Sequence, residues 1–241
     1  MKLESSVNNL PGVGPKVAEK LKRLGIETVR DLLFYYPRTW QDFSKPRKIS
    51  SLRIGDEAII NAKIIQVKQA RTRRRWMSII EAELSDDSAN IKAIWFNQPF
   101  LMNILKPGQE FLFAGKVNWD FKNKTKTISV TQLETEPAIF SVYSETEGLT
   151  SKYLRKLLRP IRTQNDTSKV SVGEYLPESI IKRNNLISLA DAIKKIHFPK
   201  DSKDIELAKR RLSFDELFLV SLRLQSIRKE LSHHKAPALK C

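Results

Sequence analysis

The sequence predicts a mixed α+β protein: a helical, helix-hairpin-helix-like N-terminus over residues 1–45, a five-stranded OB-fold β-barrel over 46–145, and helices over 146–241. Three patterns carry this reading. Apolar residues recur with a helical period at both ends of the chain. The middle holds runs of Ile, Val and aromatic residues separated by polar turns. A short helical stretch then falls between the third and fourth of those runs, which is the element order of an OB-fold.

The N-terminal part opens on Leu10-Pro11-Gly12-Val13-Gly14-Pro15. Its two glycines can take positive φ, and Pro15 suits the first position of a helix. Val13, Val17, Leu21 and Leu24 follow on one face, while Lys16, Lys20 and Arg23 fall off it. Gly25 ends this helix. Thr28, with Asp31 three residues on, caps a second helix that Pro37 stops.

In the middle part, Ala58 to Lys68, Trp76 to Leu84 and Ile91 to Phe96 are strand candidates. The second and third are joined by the polar turn from Ser85 to Asn90. Asn97 to Leu105 has helical spacing before Pro107-Gly108 breaks it. Glu110 to Trp119 and Thr127 to Leu133 then form a hairpin around Lys122-Asn123-Lys124. Beyond residue 146, Leu154, Leu157, Leu158 and Ile161 share a face. Ser188 and Asp191 start another helix, and Ser213 with Glu216 forms a capping box for the last one. Leu217, Val220, Leu224, Ile227 and Leu231 give that helix an apolar side opposite Arg223, Arg228 and Lys229.

Charge narrows the function. Lys and Arg number 43 against 27 Asp and Glu, a net charge of +16, which is more than solubility needs and implies a polyanionic partner. The one cysteine, Cys241, excludes a disulfide framework or thiolate cluster, and three histidines make no conventional zinc site. No apolar run approaches the ~18 residues of a membrane span, and the N-terminus is no secretory signal, so a cytoplasmic monomer without a membrane partner is expected. The sequence has no Gly-x-x-x-x-Gly-Lys-Ser/Thr loop, His-Glu-x-x-His or Gly-x-Ser-x-Gly motif, so no catalytic residue, metal or cofactor is assigned to this chain. A nucleic-acid enzyme lacks its nucleophile or carboxylate cluster; a stand-alone single-strand or RNA-binding OB protein is the alternative.

Four arginines, Arg71, Arg73, Arg74 and Arg75, crowd the first hairpin loop of the barrel, at the rim where nucleic acid docks. Lys116, on the fourth strand, is counted with them. Of the aromatics Trp76, Trp95, Phe96, Phe100, Trp119 and Phe121, most are expected to fill the core. Alternation sends Trp95 and Phe96 to opposite sides, so one ring faces outward, where a base can stack on it. Gly12, Gly14 and Lys16 could hold a phosphate on backbone N–H groups at a helix start, or serve only as scaffold. His197 packs at a helix end, and His233-His234 is solvated.

Four stretches resemble one family: Leu10 to Ile26; Asp31 to Trp40; Trp95-Phe-Asn-Gln-Pro-Phe-Leu101; and Ala192 to Pro199, followed by Ala208 to Phe218. They are similar to the N-terminal region of the bacterial RecG branched-DNA helicases. The resemblance implies a wedge that sits at replication forks and Holliday junctions and keeps the separated arms apart. Its stacking aromatics map onto Phe96 and Phe100, with Trp95 a neighbouring candidate. It also implies a partner motor that uses ATP and magnesium and lies beyond Cys241, with no ATPase residue in this chain.

Overall fold

The computed structural model describes residues 2–71, 78–162 and 172–233. The chain forms two compact units, Met1–Trp40 with Phe140–Cys241, and Gln41–Ile139.

The first unit begins with a 3₁₀ turn, Val7–Asn9, then α1 (Pro15–Arg23) and α2 (Val29–Phe34). α2 starts on the predicted capping box. The Asp31 N–H donates to Thr28 Oγ1 at 3.1 Å, and the Thr28 N–H donates to Asp31 Oδ2 at 2.9 Å. Before the glycine hairpin stands only that 3₁₀ turn. Three residues, Val7 buried among them, are too few for an α-helix before Pro11 breaks the run. β1 (Thr39–Asp42) pairs with β7 (Ile139–Val142), and the chain crosses between the units at these two strands.

The second unit is the barrel. It comprises β2 (Glu57–Arg71), β3 (Ser78–Ser85), β4 (Asn90–Phe96), the short α3 (Leu101–Ile104), β5 (Glu110–Asp120) and β6 (Thr125–Glu134). The closed order β2-β3-β4-β6-β5 is that of an OB-fold. β2 is long because it serves two neighbours: residues 57–63 pair with β5 and residues 63–71 with β3, with a register shift between Ile64 and Gln66 where the strand bends. β4 and β6 run parallel through Lys92↔Thr127 to Ile94↔Ser129 and close the barrel. A Cβ at Gly115 would collide with the Ser129 carbonyl oxygen, so the second register shift, between Ala114 and Gly115, needs glycine. Ile60, Ile64, Ile80, Leu84, Trp95, Phe113 and Ile128 fill the interior.

Returning to the first unit, the chain forms α4 (Ser151–Arg162), α5 (Glu178–Arg183), α6 (Leu189–His197) and α7 (Ser202–His233). Leu21, Leu33, Leu154, Leu158, Ile193 and Leu212 belong to one hydrophobic cluster. The two terminal segments, separate in sequence, therefore share a core.

α7 departs from expectation twice. It begins at Ser202, with Asp201 Oδ1 accepting the Asp204 N–H at 2.8 Å, and Ser213 lies inside it rather than capping it. Helix continues through Ser213 because the buried Arg211 reaches one turn on, its Nε donating to Asp215 at 2.9 Å. Arg211 also grips Glu174 with both Nη atoms, at 2.6 and 2.9 Å, and donates to the Ile187 carbonyl at 2.7 Å. The second departure is that Leu217, Val220, Leu224, Ile227 and Leu231 are exposed. Helical spacing announces an apolar stripe but not what covers it.

Candidate nucleic-acid interface

The candidate surface starts from the period-2 geometry of β4. Ile91, Ala93 and Trp95 point into the barrel, while Lys92, Ile94 and Phe96 point out. Trp95 is 2% exposed and meets Phe113 edge-on, with centroids 6.0 Å apart, so it is a core residue and is withdrawn as a surface candidate. Phe96, its neighbour, is 45% exposed. Asn97 follows at φ 55, a left-handed conformation that Asn tolerates, and donates its N–H to the Ser78 carbonyl at 2.8 Å. That turn re-aims the chain into α3. Leu101 and Leu105 are buried there, whereas Phe100 at the N-cap position is 57% exposed. Two rings therefore stand in solvent on either side of Asn97, at one end of the barrel.

Strand register brings the end of β2 and the start of β3 to the same end. Phe96 pairs with Ile79, and the next residue of β3, Ser78, pairs with Arg71, the last of β2. Arg73, Arg74, Arg75 and Trp76 lie outside the described residues. Lys116 is exposed on β5 and pairs with Ser129, which in turn pairs with Ile94, two residues short of Phe96. Away from this end the outer surface is mixed in charge: Lys92 pairs with Glu81 at 3.6 Å, and Gln66 donates to Glu83 at 2.7 Å. Together with Lys68, Asn90 and Thr125 these residues line a shallow depression of about 330 Å³.

Of the six aromatics singled out in the sequence, Trp76 lies outside the described residues, and of the other five Trp95 alone is core. Besides Phe96 and Phe100, Trp119 is 37% and Phe121 86% exposed, because the β5–β6 hairpin runs past the filled barrel interior. Phe121 was missed as a surface residue. Its signal was position: it falls in the turn, beside Lys122-Asn123-Lys124, where no alternation applies.

In the helical unit Gly12 has φ 89, but Gly14, at φ −91, is the N-cap of α1 and needs no positive φ. The Gly12 carbonyl accepts the Tyr153 hydroxyl, which ties the turn to α4. Lys16 is exposed on the first turn of α1. His197 is buried as expected: its ring bonds the Leu33 carbonyl through Nε2 and the Tyr143 hydroxyl through Nδ1, both at 2.8 Å. The carbonyl can only accept, so Nε2 carries the proton and Nδ1 accepts from tyrosine. Burial pushes His197 down to about 4, against the smaller opposing pull of the Leu33 carbonyl. Burial alone would raise Glu174, yet Arg211 and the Leu176 and Leu189 N–H groups hold it at about 2. These groups are satisfied inside the fold, and among the described residues no three potential metal ligands gather.

A family model described as the RecG wedge domain matches residues 7–164. The chain belongs to the RecG wedge family. The ATP-dependent DNA helicase RecG of Thermotoga maritima is 35% identical over 240 residues, covering 96% of this chain and 30% of that protein. RecG of Bacillus subtilis is 29% identical, covering 94% and 33%. A solved structure of RecG bound to a three-way DNA junction superposes with a TM-score of 0.77 at 34% identity, covering 95% of this chain and 32% of that one. The chain thus spans about a third of the length of the RecG relatives it matches. The wedge match takes in the whole barrel and α4. Ala192 to Pro199 and Ala208 to Phe218 fall beyond it, within the stretch that whole RecG proteins also cover.

Proposed function

We propose that this chain is the branch-binding wedge of a RecG-type helicase, gripping forks and Holliday junctions where strands separate. The observation that supports it most is the exposed pair Phe96 and Phe100 at the barrel end where β2 stops at Arg71 and β3 starts at Ser78. Flat rings stack on unpaired bases whatever their identity, and guanidinium groups neutralise backbone phosphate. That combination reads DNA shape rather than sequence, which is what a branch point requires. Arg71, Arg73, Arg74, Arg75 and Lys116 supply the charge. Gly12, Gly14 and Lys16 are offered as a further phosphate contact at the start of α1. ATP hydrolysis with magnesium, fork regression and branch migration belong, on this reading, to motor domains in the part of RecG proteins that this chain does not span. The bacterial cytoplasm would be the site of action.

A gel-shift series over a fork, a four-way junction and a linear duplex of equal length tests the wedge role. Branched substrates should bind more tightly, with affinity falling steeply as salt rises. Equal affinity for all three would remove the reading. Full competition by unbranched single strands would favour a stand-alone OB protein instead.

A further inference from the structure

The tip of the β5–β6 hairpin also sets a ring in solvent beside lysines. Phe121 is 86% exposed and leads into Lys122-Asn123-Lys124. The turn is built rather than loose. Asp120 Oδ1 accepts the N–H groups of Lys122 and Asn123 at 3.0 and 3.2 Å, its Oδ2 accepts the Asn123 side chain at 2.6 Å, and Lys124 at φ 52 completes the reversal. A hairpin held by its own aspartate has no need of a phenylalanine in water, and Phe121 adds nothing to the barrel core.

Register locates this tip relative to the first pair of rings. β4 and β6 run parallel, with Lys92 beside Thr127, so the start of β6 lies near Asn90 and the far end of β4 carries Phe96. Six residues of strand separate the two ends, roughly 20 Å. The barrel therefore presents one set of rings at each end of the same strand pair. That distance is too great for one base step, but suits two different points along separated strands.

We propose that the β5–β6 hairpin is a second contact for unpaired nucleic acid, with Phe121 stacking on a base and Lys122 and Lys124 meeting the flanking phosphates. This rests on the wedge reading and adds to it: the far end of the barrel holds one single-stranded arm after Phe96 and Phe100 have met the branch. The two lysines select an anion over an apolar protein partner, and the rigid turn means little ordering accompanies binding.

The test uses the chain of 241 residues and a fluorescent fork with two unpaired arms, beside a linear duplex of equal length. Phe121→Ala should weaken fork binding about five- to 150-fold, leave the duplex unaffected and leave the melting temperature unchanged, and Phe121→Trp should restore binding. Lys122→Gln with Lys124→Gln should flatten the salt slope by about 1.4. If Phe121→Ala leaves the fork unaffected while Phe96→Ala weakens it, this second contact is refuted and the wedge reading stands. If neither matters, the wedge reading itself fails. An equal loss on linear duplex would overturn the contact as one for unpaired strands.

Discussion

Trp95 and Phe96 sit one peptide apart and end on opposite sides of a sheet, because successive Cβ atoms of a strand alternate. Replacing each by alanine should separate stability from binding. Trp95→Ala opens a cavity in the barrel and should cost about 3–5 kcal/mol of stability, read as a fall in melting temperature. Phe96→Ala should keep the melting temperature and weaken fork binding by about 1–3 kcal/mol in a titration. A lowered melting temperature with intact fork preference would place Phe96 in the core instead. His197 makes a residue-scale prediction of a different kind. Its folded value of about 4 lies below its ordinary 6.5, so between those pH values the unfolded chain binds a proton that the folded one refuses. Stability is fully present above pH 6.5 and drains away as pH falls toward 4, with a limiting slope of about 1.4 kcal/mol per unit. Glu174 adds its own loss lower, between its ordinary 4.5 and about 2. Thermal melts of the parent and of His197→Gln from pH 7.5 to 4.5 check this: the parent should decline and the variant stay level.

Among the elements, α7 shows how a local signature can mislead. Ser213 and Glu216 have the spacing of a capping box, yet the helix starts eleven residues earlier at Ser202. A capping box stabilises a start only if the preceding backbone leaves the helix, and Arg211, bonded forward to Asp215 and sideways to Glu174, holds that backbone helical. Ser213→Ala should therefore be nearly neutral, whereas Asp201→Ala should cost about 1 kcal/mol through loss of the true cap, both measured by denaturant unfolding. The reverse result would mean that a helix break exists at residue 213. The barrel strands, by contrast, were legible almost to their ends, because β-branched residues, alternation and polar turns agree at each of them. β1 and β7 escaped notice: four residues each carry too little periodicity to register.

For the whole molecule, the excess of positive charge matters through counterion release rather than through any one contact. Replacing Arg71, Arg73, Arg74 and Arg75 by glutamine should weaken binding to fork and duplex alike. It should also lower the slope of log affinity against log salt by up to about 3.6 on duplex. An unchanged slope would make the loop a bystander. The same scale explains why two helical segments were read where one unit exists. Leu21 and Leu33 share a cluster with Leu154 and Ile193, more than a hundred residues away, and nothing local to either segment records that partnership.

Local chemistry alone settled the α+β class, the OB order of strands, the start of α2 and the outward turn of one ring in the pair 95–96. Each depends on interactions spanning a few residues, which a linear pattern records. Tertiary packing decided which aromatics stay in water, that the two ends of the chain build one core, and that an apolar stripe on α7 is left uncovered. Those outcomes depend on how much interior each fold has to fill and which distant side chains pack there, and chain-local periodicity carries no information about either.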